Sequence, residues 1–249
     1  MSARTKLWGV AAAKGKRVSM EDAHFFIETP NGWIAGLFDG HGGSEGSAEA
    51  ARLFAEELAA IREFSLTDEY LTDLFRRVDQ ALTGKNGGTT ALVVIRSGDD
   101  CTCAVAGDSQ CLMLEKEGAL VINEPHDLTN DEERARIVQT GGRIINRHGI
   151  DRVANDTFTG SLMVTRALND PEYQKAGVIP DPEIIHFTNE LPARFLGLVC
   201  DGIWQNVSVE TMGEICRGKR SPQIVADQLV RTALAEGSND NCTALVVRL

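Results

Sequence analysis

Acidic residues stand repeatedly at the ends of short apolar runs, and this placement constrains the 249-residue chain more than any other feature. Trp33-Ile-Ala-Gly-Leu-Phe38 is followed by Asp39-Gly40, and Phe195-Leu-Gly-Leu-Val-Cys200 by Asp201-Gly202. Thr102–Ala106 leads into Gly107-Asp108, Ser238-Asn-Asp240-Asn-Cys-Thr243 leads into the last apolar run, and Glu21-Asp22 precedes the strand-like His24–Ile27. Short runs rich in Val, Ile and Leu, bounded by Gly, Asp or Asn, read as buried β-strands. Strands that share a core bring such end residues to one rim. Like charges gathered in a partly dry site repel strongly, and a cation resolves the conflict. Oxygen donors without a His or Cys cluster select a hard ion, so Mg²⁺ or Mn²⁺ is expected ahead of Ca²⁺. A single Asp-Gly pair is also the favoured chemistry of a tight hairpin turn, and for each pair alone that reading stands.

Further strands are expected at Leu7–Ala13, Thr89–Ile95, Cys111–Leu114 and Thr243–Val247. Helical spacing appears in Ser44 to Ala60, where Ala51, Phe54 and Leu58 recur on one face, and in 67–82, with Thr67 as N-cap. Residues 130–140, 208–217 and 221–235 read as three more helices, the last with Pro222 in its first turn. The strands between 102 and 114 are too close in sequence for helical crossovers, so part of the sheet is antiparallel. Strands and helices in separate blocks favour an α+β layered fold over a doubly wound sheet. No linker or repeat interrupts the sequence, and residues 1–249 read as one domain.

The chain carries 36 Asp plus Glu against 25 Lys plus Arg, a formal net charge of −11. That balance argues against nucleic-acid binding, which rests on clustered Lys and Arg. Cysteines at 101, 103, 111, 200, 216 and 242 form no Cys-x-x-Cys pair and lie mostly in apolar runs, so free buried thiols are expected. The apolar run Leu7–Ala13 is too short to span a bilayer and carries no secretory cleavage pattern. A cytoplasmic or nuclear location without membrane attachment follows as an expectation.

Asp39-Gly-His-Gly-Gly43 is glycine-rich but holds Glu45 where a dinucleotide loop needs its third glycine. Gly9 and Gly15 are likewise one residue too far apart for a phosphate-binding P-loop. His41, beside a candidate metal ligand, is placed to protonate a leaving oxygen, and Arg17 to fork onto a phosphate. Each residue alone reads better as a surface side chain.

The ordered set of motifs resembles the PPM family, the type-2C metal-dependent protein phosphatases. The stretches are Arg17-Val-Ser-Met-Glu-Asp22, Phe38-Asp-Gly-His-Gly-Gly43, Gly88-Thr-Thr-Ala91, Ala106-Gly-Asp-Ser109, Pro125-His-Asp127, Gly141-Gly142, Thr165-Arg-Ala-Leu168, Val199-Cys-Asp-Gly-Ile-Trp204 and Ser238–Thr243. The resemblance implies a four-layer α/β/β/α sandwich of two central antiparallel sheets flanked by helices, with metals at one end. It implies that Asp39 bridges two Mg²⁺ or Mn²⁺ ions, with Asp201 and Asp240 on one and the Gly40 carbonyl on the other. Glu21 and Asp22 would hold metal waters, and Asp108 would serve a third, weaker site. The implied reaction is hydrolysis of phosphoserine and phosphothreonine in proteins by a metal-bridging water or hydroxide. Arg17 would clamp the phosphoryl group and His41 would act as general acid. Phosphorylated proteins would be the partners, and a monomer is expected.

Departures from the family pattern fall at Gln110, usually Arg, at Gln205, often the Asp of the third metal site, and at Asn169, commonly Gly. The stretch 154–160 is longer than usual, and the segment after Asp170 corresponds to the family's variable flap. Two other readings keep the same fold: a catalytically inactive scaffold, and a phosphatase of small phosphorylated molecules.

Overall fold

A computed structural model describes residues 6–61, 66–115, 118–155, 157, 160–188, 193–218 and 220–249. The chain opens with strands β1 (Trp8–Ala13), β2 (Ala23–Thr29), β3 (Gly32–Phe38) and β4 (Gly40–His41), then helices α1 (Glu45–Ala59) and α2 (Asp68–Ala81). Next come β5 (Gly88–Thr89), β6 (Ala91–Ser97), β7 (Asp100–Ala106), β8 (Gln110–Leu114), β9 (Ala119–Val121) and helix α3 (Asp131–Gln139). The hairpin β10 (Arg143–Arg147) and β11 (Ile150–Ala154) is followed by β12 (Ser161–Leu162), the short helix α4 (Pro171–Gln174), β13 (Glu183–Thr188) and β14 (Phe195–Val199). Helices α5 (Asp201–Trp204), α6 (Val209–Cys216) and α7 (Pro222–Ala235) precede the final strand β15 (Cys242–Arg248).

Two five-stranded sheets form the centre, one ordered β1-β15-β14-β8-β9 and the other β13-β7-β6-β3-β2. Every strand pairing within them is antiparallel. Side-chain alternation along β3 shows how the layers are made. Trp33, Ala35 and Leu37 point into a core shared with Leu196, Leu198 and Leu245 of the other sheet. Ile34 and Phe38 point the other way, onto Phe54, Leu58 and Phe75 of α1 and α2. On the far sheet α7 packs on β1 and β15, and a Cβ at Gly9 would stand 2.3 Å from the Gln223 backbone nitrogen. The result is an α+β fold, consistent with the four-layer α/β/β/α sandwich that the family resemblance implied. All six cysteines are free and buried, and no helix among the described residues is long and apolar enough to cross a membrane.

The expected helices form with the caps the sequence provides. Thr67 accepts from the Tyr70 amide, Asn130 from Glu132 and Glu133, and Ser221 from Ile224, with Pro222 in the first turn of α7. The run Thr89–Ile95 is broken at Thr90, because its amide donates to the Asp39 carbonyl at 2.9 Å and its hydroxyl accepts from the Asp39 amide at 3.1 Å. Six strands go beyond those the sequence predicts: β4, β9, the group β10–β12, and β13. The β10–β11 hairpin turns on His148 and Gly149, both with positive φ (55° and 85°), a two-residue loop of the kind that twisted strands favour. Within the long stretch 154–160, residues 156, 158 and 159 lie outside the described residues.

One buried ion network ties α3 to the segment that leads into the site. The Glu133 carboxylate is 2% exposed and accepts from Arg136 (2.6 Å), from Arg166 (2.7 Å) and from the Thr165 hydroxyl (2.5 Å). Burial works to raise the pKa of Glu133, but these hydrogen bonds outweigh it and hold the carboxyl well below the usual range. A depressed carboxyl pKa contributes stability that is complete above the unfolded value, about 4.3, and is lost as the pH falls below it. Glu133→Gln is therefore expected to cost about 3 kcal/mol at neutral pH by stranding two guanidinium groups. The gap to wild type should narrow below about pH 4. Urea unfolding at pH 7 and pH 3.5 checks both, and a gap that widens in acid would contradict the sign.

Candidate active site

Antiparallel pairing places the acids. Asp39 follows the end of β3 and Asp22 precedes the start of its antiparallel neighbour β2, so both lie at one end of that sheet. Strand β7 runs parallel to β3 across β6, which brings Asp108 to the same end. In the other sheet Asp201 follows β14 and Asp240 precedes its antiparallel neighbour β15. Asp39, Asp108, Asp201 and Asp240 line one cavity of about 180 Å³, together with Arg17, Gly40, His41, Thr90 and Arg152. Asp22 stands behind Asp39, and the ligand atoms of Asp22, Asp39 and Cys200 lie within 4.8 Å of one another. Glu21 does not line the cavity. Its carboxylate accepts from the Ser19 hydroxyl at 2.8 Å, and its carbonyl accepts from Ser47.

The two glycines after the acids are not turn residues. Gly40 opens β4, where a Cβ would meet the Glu21 carbonyl at 2.3 Å, and Gly202 lies in α5, where it would meet the Asn241 carbonyl at 2.0 Å. Their function is close backbone approach rather than a left-handed conformation. The tight-turn reading of Asp39-Gly40 and Asp201-Gly202 therefore fails.

Burial and mutual repulsion raise the pKa values of this cluster. Burial is the larger cause for Asp22, Asp39, Asp108 and Asp201, followed by the charge of Asp201 on Asp39 and Asp108, and of Asp240 on Asp201. Asp22 is pushed up to about 6, chiefly by burial, although the Thr243 hydroxyl hydrogen-bonds to it. Its Oδ2 accepts from the Thr243 hydroxyl at 2.6 Å, while Oδ1 is buried with no hydrogen-bond partner among the described residues. An orphaned carboxylate oxygen beside further oxygen donors fits a hard divalent cation, and these residues suit Mg²⁺ or Mn²⁺.

Several neighbours position these groups through contacts that the motifs do not specify. Asn241 accepts from the Glu21 amide at 2.8 Å and donates to the carbonyls of Lys14 (2.9 Å) and Ser19 (3.0 Å). It thereby fastens the loop that carries Arg17 to the last strand. Buried at 4% exposure, it is closed to glycosylation in the folded chain despite its Asn-x-Thr triplet. The Trp204 indole donates to the Asp108 carbonyl at 2.8 Å. Arg17 donates to Asp240 at 2.5 Å. Arg152 reaches the cavity from β11 with its Nε buried and unpartnered among the described residues, a residue no sequence motif marked.

His41 is held by Asp170, whose two oxygens lie 3.0 and 2.9 Å from Nε2. A Cβ at Gly88 would fall 2.4 Å from Asp170 Oδ2 and 2.5 Å from His41 Nε2, so that glycine makes the pairing possible. Asn169, where the family commonly has Gly, has φ 63° and donates to the Gly87 carbonyl at 2.8 Å. Asn is among the few residues that tolerate this conformation. The amide of Gln205 donates to Asp201 at 3.3 Å instead of adding a carboxylate. Buried Gln110 sits in β8 opposite Val199. The wall above the acids comes from Arg152 and residues 161–164, ahead of Asp170, more than from the segment after it.

Residues 7–242 match the family model for protein phosphatase 2C. The chain belongs to that family. It is 34% identical over 254 residues to "Probable protein phosphatase 2C 69" of Arabidopsis thaliana, covering 97% of this chain and 69% of that protein. It is 32% identical to "Probable protein phosphatase 2C 45" of Oryza sativa subsp. japonica, covering 97% of this chain and 86% of the relative. A solved serine-threonine phosphatase 2C from Toxoplasma gondii superposes with TM-score 0.81 at 18% identity, covering 97% and 94% of the two chains, a likeness of fold.

A carboxyl whose folded pKa is raised weakens the folded state above that pKa, and stability returns as the pH falls through it. In EDTA at pH 7.5, Asp39→Asn is therefore expected to raise Tm by about 2–4 °C, the shift of roughly 1 kcal/mol at this size. The same substitution should shrink the further rise that Mn²⁺ produces. Thermal unfolding of both proteins with and without Mn²⁺ checks this; a lower Tm for the variant in EDTA would show that the cluster is not repulsive.

Proposed function

We propose that this member of the protein phosphatase 2C family hydrolyses phosphoserine and phosphothreonine in proteins, in a reaction that depends on Mg²⁺ or Mn²⁺. The observation that carries the reading is the gathering of Asp22, Asp39, Asp108, Asp201 and Asp240 at one end of the sandwich, next to a guanidinium and a His–Asp pair. Asp39, Asp201, Asp240 and the Gly40 carbonyl would hold the two core ions, with Glu21 and Asp22 acting through water. Asp108 would hold a third ion weakly, because Gln205 supplies no charge. Bound divalent ions supply positive charge to the phosphoryl oxygens and lower the pKa of the attacking water.

The chain's own residues supply the rest. Arg17 lines the cavity, and a phosphate dianion offers its fork a stronger partner than Asp240. Asp170 occupies His41 Nε2 and fixes the ring, so the proton that His41 delivers to the seryl or threonyl oxygen sits on Nδ1. Walls from Leu162, Met163 and Val164 limit water around the reacting group. No covalent intermediate is required, since no described Ser, Cys or Thr lining the cavity has a general base on its oxygen or sulfur.

Purified protein is expected to release phosphate from a phosphothreonine peptide with Mn²⁺ or Mg²⁺, and not with EDTA or as Asp39→Asn. Folded protein that releases none at any metal concentration would favour a scaffold. His41→Ala should slow the peptide by about 10²–10⁴-fold while slowing p-nitrophenyl phosphate far less, because nitrophenolate needs no protonation. Asp170→Asn should show the same bias to a smaller degree. Equal losses on both substrates would remove His41 as the general acid.

A further inference from the structure

The cavity that holds the acids shares walls with two others. On the side of His41 it shares His41, Ser161 and Leu162 with a cavity of about 540 Å³, and on the other side it shares Met163 with one of about 370 Å³. Charge is distributed unevenly along this groove. The cations Arg17 and Arg152 line only its centre, whereas the described residues that line the flanks include no Lys or Arg. The flanks carry carboxylates instead, Asp170 and Glu172 beside His41, and Asp127 and Asp151 at the far end.

The flanking acids differ in how their charge is used. Asp151 pairs with Arg134 at 2.8 Å, Asp127 accepts from the Thr129 amide at 2.7 Å, and Asp170 is committed to His41. Glu172 is exposed and accepts from the neutral Asn155 amide at 3.1 Å, and it forms no salt bridge among the described residues. Around it the cavity has a floor of Gly42, Gly87 and Gly88 and an apolar wall of Leu162, Pro171 and Tyr173. Burial, then the charges of Asp170 and Glu172, hold the Tyr173 phenol above its ordinary pKa against the weaker pull of Arg147, so the local field is negative. A cavity whose lining combines apolar side chains with an exposed carboxylate suits a long aliphatic stem with a cationic head, and Tyr173 adds a ring face for that cation.

We propose that the cavity beyond His41 is a subsite for a lysine or arginine side chain flanking the phosphorylated residue of a substrate peptide, with Glu172 as its charge partner. The proposal rests on the phosphatase reading above and adds the class of substrate. Because His41 faces the departing oxygen in that reading, the peptide leaves the centre on this side, which brings its neighbouring side chains into the cavity.

The test compares two phosphothreonine peptides that differ only in carrying Arg or Glu on both sides of the phosphoresidue, with p-nitrophenyl phosphate as a substrate lacking flanks. Wild type, Glu172→Gln and Glu172→Lys are measured with Mn²⁺ at low and raised salt. At low salt wild type should favour the Arg peptide in kcat/KM by about threefold to fivefold, the size of an exposed charge pair, and salt should reduce the preference. Glu172→Gln should erase it and Glu172→Lys reverse it, with p-nitrophenyl phosphate turnover unchanged in both. Equal use of the two peptides by wild type, or a preference for Arg that survives Glu172→Lys, would overturn the subsite while leaving the phosphatase reading intact. Failure on all three substrates would overturn that reading, and the subsite with it.

Discussion

Mutual repulsion among carboxylates at one end of the β-sandwich is the constraint on which the rest of this structure depends. Each acid stands one or two residues outside a strand of the central sheets, so none can retreat without pulling a strand out of register. Moving a strand by one residue would turn its apolar set to the opposite face. The inter-sheet core thus holds Asp39, Asp201 and their neighbours at separations that the metal-free protein resists. The repulsion appears as raised carboxyl pKa values, and one Asp22 oxygen is buried with no hydrogen-bond partner among the described residues.

Around the acids, polar groups do the holding. Thr90 clamps the Asp39 backbone from both sides, Asn241 binds the loop that carries Arg17 and Glu21, and Trp204 fixes the Asp108 carbonyl. Close contacts at Gly40, Gly88 and Gly202 leave no room for a side chain, which makes these glycines part of the same scaffold. The Glu133 network extends it outward. It anchors Thr165 and Arg166, and three residues after Ala167 the chain reaches Asp170, which holds His41. Helix packing is thereby linked to the placement of His41.

Much of this was legible in the sequence because the relevant signals were local. Apolar runs that are buried on both faces, such as Trp33–Phe38 and Phe195–Val199, stand out at any position, and the acids after them are fixed by adjacency. Caps at Thr67, Asn130 and Ser221 were likewise local. What was hidden depends on contacts across the chain. Asp170 meets His41 across 129 residues and Asn241 meets Glu21 across 220, and no local pattern shows which residue pairs with which. The strands β10 and β13 are half exposed and mix charged with apolar residues, so their periodicity is weak. The His148-Gly149 turn was the one available signal for the hairpin that delivers Arg152. The Asp-Gly pairs taken singly stay ambiguous, since a sequence alone does not separate a glycine needed for a turn from one needed for close packing.

Diffraction at the manganese edge from crystals grown with Mn²⁺ tests the central claim most directly. Anomalous density for two ions is expected in the cavity bounded by Asp39, Asp201 and Asp240, and its loss in crystals of Asp39→Asn. Manganese bound elsewhere, or absent from a cavity in which those carboxylates remain clustered, would contradict it.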